Sequence, residues 1–190
     1  MPSKIDGVRI DAPAWRTMTV LVKIATVVTW VVFVLYLLFL LKLLLFSRPP
    51  GSDRSVNLIP FATIANYLSG RAGVPAGIAF GNLAGNVAAF VPLGVFLPLL
   101  RRRPGIGSNL LIVVGASAAV EVIQGVFGLG ASDIDDVILN TFGGLIGILF
   151  FTALRGVLKR WSRVSIVIAV LSVLAAPVLC LLLFGLRLRM

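Results

Sequence analysis

The chain contains apolar runs that are too long for the core of a soluble domain. Of its 190 residues, 59% are hydrophobic. A helix that crosses a bilayer needs about 20 mostly apolar residues. Such stretches occur near residues 20–46, 78–100, 108–129, 137–154 and 164–186. Because no alternating strand pattern is present, backbone groups within lipid must pair in helices. The sequence therefore predicts an all-α, polytopic transmembrane bundle of about five spans.

One membrane domain accounts for most of the sequence. Residues 1–19 are largely polar and are interpreted as a cytoplasmic N-terminal segment, followed by a transmembrane domain over 20–186. The first apolar stretch is longer than the core of a signal peptide and is not followed by a clear small-residue cleavage site, so we interpret it as a retained helix. The longest predicted connection is an outer loop over residues 47–77.

The basic residues predict an orientation. Loops on the cytoplasmic side of membrane proteins carry an excess of Lys and Arg. With a cytoplasmic N-terminus, the inside carries eleven: Lys4, Arg9, Arg16, Lys23, Arg101, Arg102, Arg103, Arg155, Lys159, Arg160 and Arg163. The outside carries six: Lys42, Arg48, Arg54, Arg71, Arg187 and Arg189. Topology thus explains the net charge of +10 better than nucleic acid does, and we expect no nucleic-acid partner. The basic loops at 101–103 and 155–163 are expected to contact anionic lipid at the cytoplasmic face.

The acidic residues are concentrated on the opposite side. In the same orientation, five of the seven fall on the outer side or in the outer half of the membrane: Asp53, Glu121, Asp133, Asp135 and Asp136. The sequence therefore concentrates on the outer side the acidic side chains that could take part in catalysis or ligand binding.

The absence of His and of a second Cys limits the catalytic and metal-binding chemistry that this chain can perform. The chain contains no His and one Cys, Cys180, which excludes Ser-His-Asp and Cys-His catalysis, the usual zinc sites and an intrachain disulfide. Any catalysis would rest on carboxylates, amides, hydroxyls, Arg or a recruited metal.

The outer loop contains a segment with helical periodicity. Its apolar residues Phe61, Ile64, Ala65 and Leu68 recur at helical spacing, after Pro60 and before a glycine at 70. We expect a short amphipathic helix that lies at the outer interface or dips back into the bundle. An ordinary loop is the alternative.

The second apolar stretch contains paired amides and paired glycines. Asn82 and Asn86 are four residues apart, so both lie on one helix face. Gly81 and Gly85 form a pair of small residues at the spacing that lets a neighbouring helix approach closely. The amides are either part of a site or hydrogen-bonding groups between helices.

The third stretch contains a carboxylate at membrane depth. Glu121 and Gln124 lie one turn apart, with Ser117 a turn further in on the same side. At 1.5 Å per residue, Glu121 lies roughly 10 Å below the surface, where a charge costs on the order of 2.5–3.5 kcal/mol. We expect it to face the bundle interior or be protonated, as a general acid or proton relay would be. A structural, hydrogen-bonded Glu is the alternative.

The fourth stretch begins with a cluster of carboxylates in "ASDIDDVILN" (131–140). Ser132 and Asp135 fit a capping box, so we expect them mainly to start the helix. Asp133, Asp136 and Asn140 stack along one side, with glycines continuing below them at 143, 144 and 147. The glycines predict close helix packing. Oxygen ligands of this kind suit Mg²⁺ or Ca²⁺, which gives Asp133 and Asp136 as candidate metal ligands.

Four segments together resemble the VanZ-like family of bacterial membrane proteins. They are "NLIPF" (57–61), Asn86 ahead of "FVPLG" (90–94), "EVIQ" (121–124) and "DIDDVILNTFGGLIG" (133–147), and the resemblance covers about residues 57–150. It implies a small multi-helix protein of the bacterial cell membrane. The branch that gives the family its name is linked to resistance to the glycopeptide teicoplanin. The resemblance implies no particular reaction.

These observations predict an outward-facing site that binds or acts on an envelope lipid, a peptidoglycan precursor or a glycopeptide. The catalytic candidates are Glu121 and Asp136. The ligand-binding candidates are Asn57, Asn86, Gln124, Asp133 and Asn140. Two other interpretations remain open, namely a non-catalytic membrane scaffold and a small-solute transporter. Oligomeric state is not predicted.

The orientation yields a direct test. Cysteines introduced as Asp53→Cys and Ala131→Cys should react with membrane-impermeant thiol reagents added outside the cell, whereas Gly105→Cys and Arg160→Cys should not, because the basic loops remain inside. External labelling at position 105 would reverse the orientation and place the acidic cluster in the cytoplasm.

Overall fold

A computed structural model describes residues 15–45, 56–129 and 131–187. A 3₁₀ turn at Trp15–Thr17 precedes helix α1 (Val20–Leu45), strand β1 (Val56–Asn57) and helix α2 (Ala62–Leu68). The chain continues through α3 (Ala76–Leu100), α4 (Ile106–Phe127), strand β2 (Ser132–Asp133), α5 (Ile134–Leu158) and α6 (Trp161–Arg187). The outer-loop positions 48, 53 and 54 and the side chain of Cys180 lie outside this description.

The helices confirm an all-α membrane protein. Within the described ranges, four helices are long and apolar enough to cross a membrane, namely α1, α3, α4 and α5. The predicted stretch at 164–186 falls within α6, whose described apolar part is the shorter segment Trp161–Pro177. The fifth span therefore stays a prediction, as does the orientation. Helix α3 continues through Pro92 and Pro98 without a break.

The chain divides into two compact units. The first comprises Met1–Leu35 and Thr152–Met190 and contains most of α1 together with α6. The second comprises Tyr36–Phe151 and contains α2, α3, α4, most of α5 and both strands. All the predicted site residues belong to the second unit. Its core contains fully buried Phe90, Val113 and Ile148.

A short parallel strand pair organises one end of the second unit. Val56 is paired with Ser132 and Asn57 with Asp133. Strand β1 precedes α2, and strand β2 lies between the end of α4 and the start of α5. The pairing therefore brings β1 and the start of α2 to the same end of the unit as the start of α5. Sequence analysis did not predict these strands.

Glycines bring α3 and α5 into backbone contact. A Cβ atom built on any of three glycines would collide with a backbone carbonyl of the other helix. These clashes join Gly143 to Val87, Gly147 to Val91, and Gly94 to Gly144. Close packing at the glycines of α5 was predicted and is found. The expectation for Gly81 and Gly85 was wrong, because the described structure leaves open space around both, and α3 meets α5 further along, at Gly94.

The predicted short helix is present as α2. It begins after Phe61, whose backbone φ of 65° is left-handed, so Pro60 precedes the helix and does not occupy its first position. Gly70, with a φ of 73°, follows the C-terminal cap as predicted. Phe61 and Leu68 are exposed over 60% and 77% of their surface. This apolar exposure fits a helix at a membrane interface.

Matched glycine substitutions test the α3–α5 contact. Gly143→Ala should lower the Tm of the purified protein in detergent, because its methyl group meets a backbone carbonyl that cannot rotate away, and such overpacking costs about 1–3 kcal/mol. Gly85→Ala is the control. It has open space and should gain roughly 0.5–1 kcal/mol from helix propensity. Equal effects of the two variants would contradict the contact.

Candidate functional site

Asp133 is the centre of a group of polar side chains at the strand end of the second unit. Its Oδ1 accepts hydrogen bonds from Asn57 Nδ2 at 3.1 Å and from the backbone N–H of Asp135 at 2.9 Å. Its Oδ2 accepts from Thr63 Oγ1 at 2.6 Å. Asn57 Nδ2 also donates to Thr63 Oγ1 at 3.1 Å. One carboxylate thus joins β1, α2 and the first turn of α5.

Asp135 secures the start of α2. It is fully buried, and its two oxygens accept from the backbone N–H groups of Phe61 at 2.5 Å and Ile64 at 3.0 Å. The prediction that Ser132 and Asp135 mainly start α5 is therefore wrong. Ser132 is part of β2 and α5 begins at Ile134, so Asp133 takes the capping position and bonds the second helical N–H.

Glu121 connects α4 to the same point. Its side chain is 7% exposed, and Oε2 accepts from the backbone N–H of Asp133 at 2.7 Å. The residue faces the interior of the unit, as sequence analysis predicted. Asp133 therefore receives support through its backbone from α4 and supplies support through its side chain to β1 and α2.

Helix α3 contributes an amide to the same region. Asn86 Nδ2 donates to Asp136 Oδ1 at 2.5 Å. Asn82, which lies one turn earlier, instead donates to the hydroxyl of Tyr67 in α2 at 3.1 Å. The two asparagines of α3 therefore have different partners, and Asn86 alone meets a carboxylate of α5.

A second polar level lies deeper between α4 and α5. Asn140 Nδ2 donates to Ser117 Oγ at 2.9 Å, and both residues are buried. Gln124 Nε2 donates to the carbonyl oxygen of Leu44 at 2.7 Å, which satisfies a backbone group at the end of α1. Ser117, Glu121 and Gln124 recur on one buried face of α4, as their spacing requires.

The predicted site residues lie in separate hydrogen-bonded groups: Asn57 and Glu121 bond Asp133, Asn86 bonds Asp136, Asn140 bonds Ser117, and Gln124 bonds the backbone of Leu44. The seven predicted residues are Asn57, Asn86, Glu121, Gln124, Asp133, Asp136 and Asn140. With Thr63, Ser117 and Asp135 they form what we call the polar cluster. Sequence reasoning missed Thr63, whose hydroxyl accepts from Asn57 and donates to Asp133. It also missed the buried Asn109, whose amide binds the carbonyls of Arg103 and Gly105 at the other end of the unit.

The polar cluster is rich in hydrogen-bond acceptors. Its carboxylates hold short segments of backbone in place, and its oxygens are of the type that hard cations select. Among the residues that the structure describes, no group of three or more His, Cys, Asp or Glu side chains is placed to hold a metal ion. The proposal of Mg²⁺ or Ca²⁺ at Asp133 and Asp136 stays a prediction.

Comparisons with known proteins agree on one family. A family model described as VanZ/LLP1 matches residues 33–174. Protein VanZ of Enterococcus faecium is 32% identical over 120 residues, which are 62% of this chain and 66% of that protein. The chain thus matches just under two thirds of the length of this curated relative. No solved structure matches the chain significantly.

Substitutions at positions 135 and 132 test whether these two residues mainly start α5 or whether Asp135 holds the start of α2. Asp135→Ala should lower the Tm and increase hydrogen exchange at the amides of Phe61 and Ile64, because each buried N–H left unpaired costs about 1–3 kcal/mol. Ser132→Ala is the control and should leave both measurements unchanged. Destabilisation by Ser132→Ala alone would restore the original capping interpretation.

Proposed function

The chain belongs to the VanZ/LLP1 family of membrane proteins, and from this premise we propose that it contributes to resistance against teicoplanin-type glycopeptides. It would act in the bacterial cell membrane through the polar cluster. The cluster would face outward and bind, or act on, an envelope lipid, a peptidoglycan precursor or the glycopeptide itself.

The observation that carries this proposal is the convergence of polar groups from four separate segments. Segment 57–63 and helices α3, α4 and α5 each contribute side chains to one end of the second unit. A helix cap needs one or two polar groups, whereas the polar cluster has three aspartates, a glutamate and four amides. Polar residues are expensive within a membrane and are characteristic of functional positions.

The distribution of charge supports the outward orientation. Helix α3 begins at the end that carries the polar cluster and ends at Leu100, directly before Arg101, Arg102 and Arg103. The basic loop and the cluster therefore lie at opposite ends of the second unit. Since Lys and Arg are retained on the cytoplasmic side, the cluster would face the cell exterior. The basic loop would contact anionic lipid at the inner face.

Glu121 and Asp136 remain the candidates for proton transfer if the protein is an enzyme. Glu121 is buried and within hydrogen-bond distance of the backbone at Asp133. Asp136 lies one helical turn before Asn140 on α5 and contacts Asn86. An acid and a base on adjacent helices would be placed to act on a ligand that reaches the space between them.

Resistance measurements test the proposal. Asp136→Ala and Asn140→Ala should return the teicoplanin resistance of an expressing susceptible strain to that of cells with the empty vector, at unchanged abundance in the membrane. Asn66→Ala changes an exposed amide of α2 and should retain resistance. The measurement is the minimum inhibitory concentration together with a membrane immunoblot.

Two outcomes would contradict this function. If both cluster variants keep full resistance at normal abundance, the polar groups serve packing alone and the protein is a scaffold. If the unaltered protein confers no change in the inhibitory concentration, glycopeptide resistance is not its function.

A further inference from the structure

Two buried amide oxygens in the polar cluster lack a hydrogen-bond donor. The side chain of Asn140 is 1% exposed and that of Gln124 is 7% exposed. Within the described ranges, Asn140 Oδ1 and Gln124 Oε1 have no partner, although the amide nitrogen of each residue is bonded. Buried polar atoms are normally paired, so an unpaired buried acceptor calls for a donor from outside the chain, either water or a ligand group.

The two amides are held at different levels of α4, Gln124 as a residue of that helix and Asn140 of α5 through its bond to Ser117. Gln124 is one turn nearer the strand end than Glu121, and Ser117, which bonds Asn140, is one turn deeper. Each unpaired atom is an acceptor. A guest that pairs both atoms must therefore supply donors at two levels, separated by about two helical turns.

The charge of the cluster points to the same chemistry. All hydrogen bonds to Asp133 and Asp135 within the described part of the chain come from neutral donors: Asn57 Nδ2, Thr63 Oγ1 and the backbone N–H groups of Phe61, Ile64 and Asp135. No described Lys or Arg neutralises these two carboxylates. The negative potential that results attracts cations and donors and repels anions.

Resting on the proposed function, we infer that the polar cluster recognises a donor-bearing portion of its amphipathic ligand. The group would be the hydroxyls of a sugar or a protonated amine, held by Asn140 Oδ1 and Gln124 Oε1. A phosphate presents acceptor oxygens and negative charge, so the acceptor oxygens and carboxylates of the polar cluster would repel it. Among the candidate ligands, the glycan or amine portion would enter the cluster and any phosphate would stay outside it.

Soluble probes with one chain length and different head groups test this inference. The purified protein in phosphatidylcholine nanodiscs is mixed with octyl glucoside, octylamine or octyl phosphate, each at the same concentration below micelle formation, and its Tm is measured. The glucoside or the amine should raise the Tm by a few degrees relative to octyl phosphate, since binding to the folded state stabilises it. Which of the two does so identifies the donor as hydroxyl or ammonium.

Substitutions at the two amides then test where the probes bind. Asn140→Leu removes the acceptor and should abolish the head-group-dependent shift, while its Tm without probe stays close to that of the unaltered protein because an unpaired oxygen is also removed. Asn66→Leu, an exposed amide in α2, should retain the shift. If Asn140→Leu does not fold, Gln124→Met provides the same test at the other level.

Two results would overturn the inference. Stabilisation by octyl phosphate equal to that by the glucoside and the amine would show that the cluster does not select donors. A shift that persists in both Asn140→Leu and Gln124→Met would place binding elsewhere. Both Tm measurements are independent of the resistance assay. A failed resistance test therefore leaves the Tm result interpretable, and a failed Tm test leaves the resistance result interpretable.

Discussion

The hydrogen bonds of Asp133 are the interaction on which the strand end of the second unit depends. Its carboxylate binds Asn57 and Thr63, its backbone N–H is bound by Glu121, and its position in β2 pairs it with β1. Segments separated by as much as 76 residues in sequence therefore meet at one residue. A carboxylate can do this because it offers two oxygens and about four acceptor positions.

Helix packing and the polar cluster depend on each other. Glycines allow α5 to approach α3 until backbone atoms touch, which places Asp136 beside Asn86, and Gly144 also admits Val113 of α4, the helix on which Ser117 bonds Asn140. In lipid the surroundings of a helix are as apolar as its neighbours, so close van der Waals packing and hydrogen bonds between helices provide the association energy. The same contacts that stabilise the bundle thereby fix the positions of the site residues.

This arrangement shows how a small membrane protein can form a cluster of polar side chains without histidine or a pair of cysteines. Carboxylates bind backbone N–H groups, and the buried amides of Asn140 and Gln124 each retain an acceptor oxygen that no described donor pairs. The exposed apolar side chains of Phe61, which precedes α2, and of Leu68, which ends it, would keep this segment at the membrane interface. A ligand with an acyl chain and a polar head could reach the cluster from the bilayer, which fits a role in the cell envelope.

The sequence by itself determined the membrane fold, the helix positions and most of the polar cluster, because the cost of burying polar groups in lipid leaves few places for them. Glu121 and Asn140 could be placed on inward faces from helical spacing alone. Tertiary structure decided the partners. Asp135 looked like a capping residue, and it instead binds the backbone of α2 at Phe61 and Ile64. That contact depends on a parallel pairing of two-residue strands, and such short, non-local pairings leave no periodic signal in a sequence.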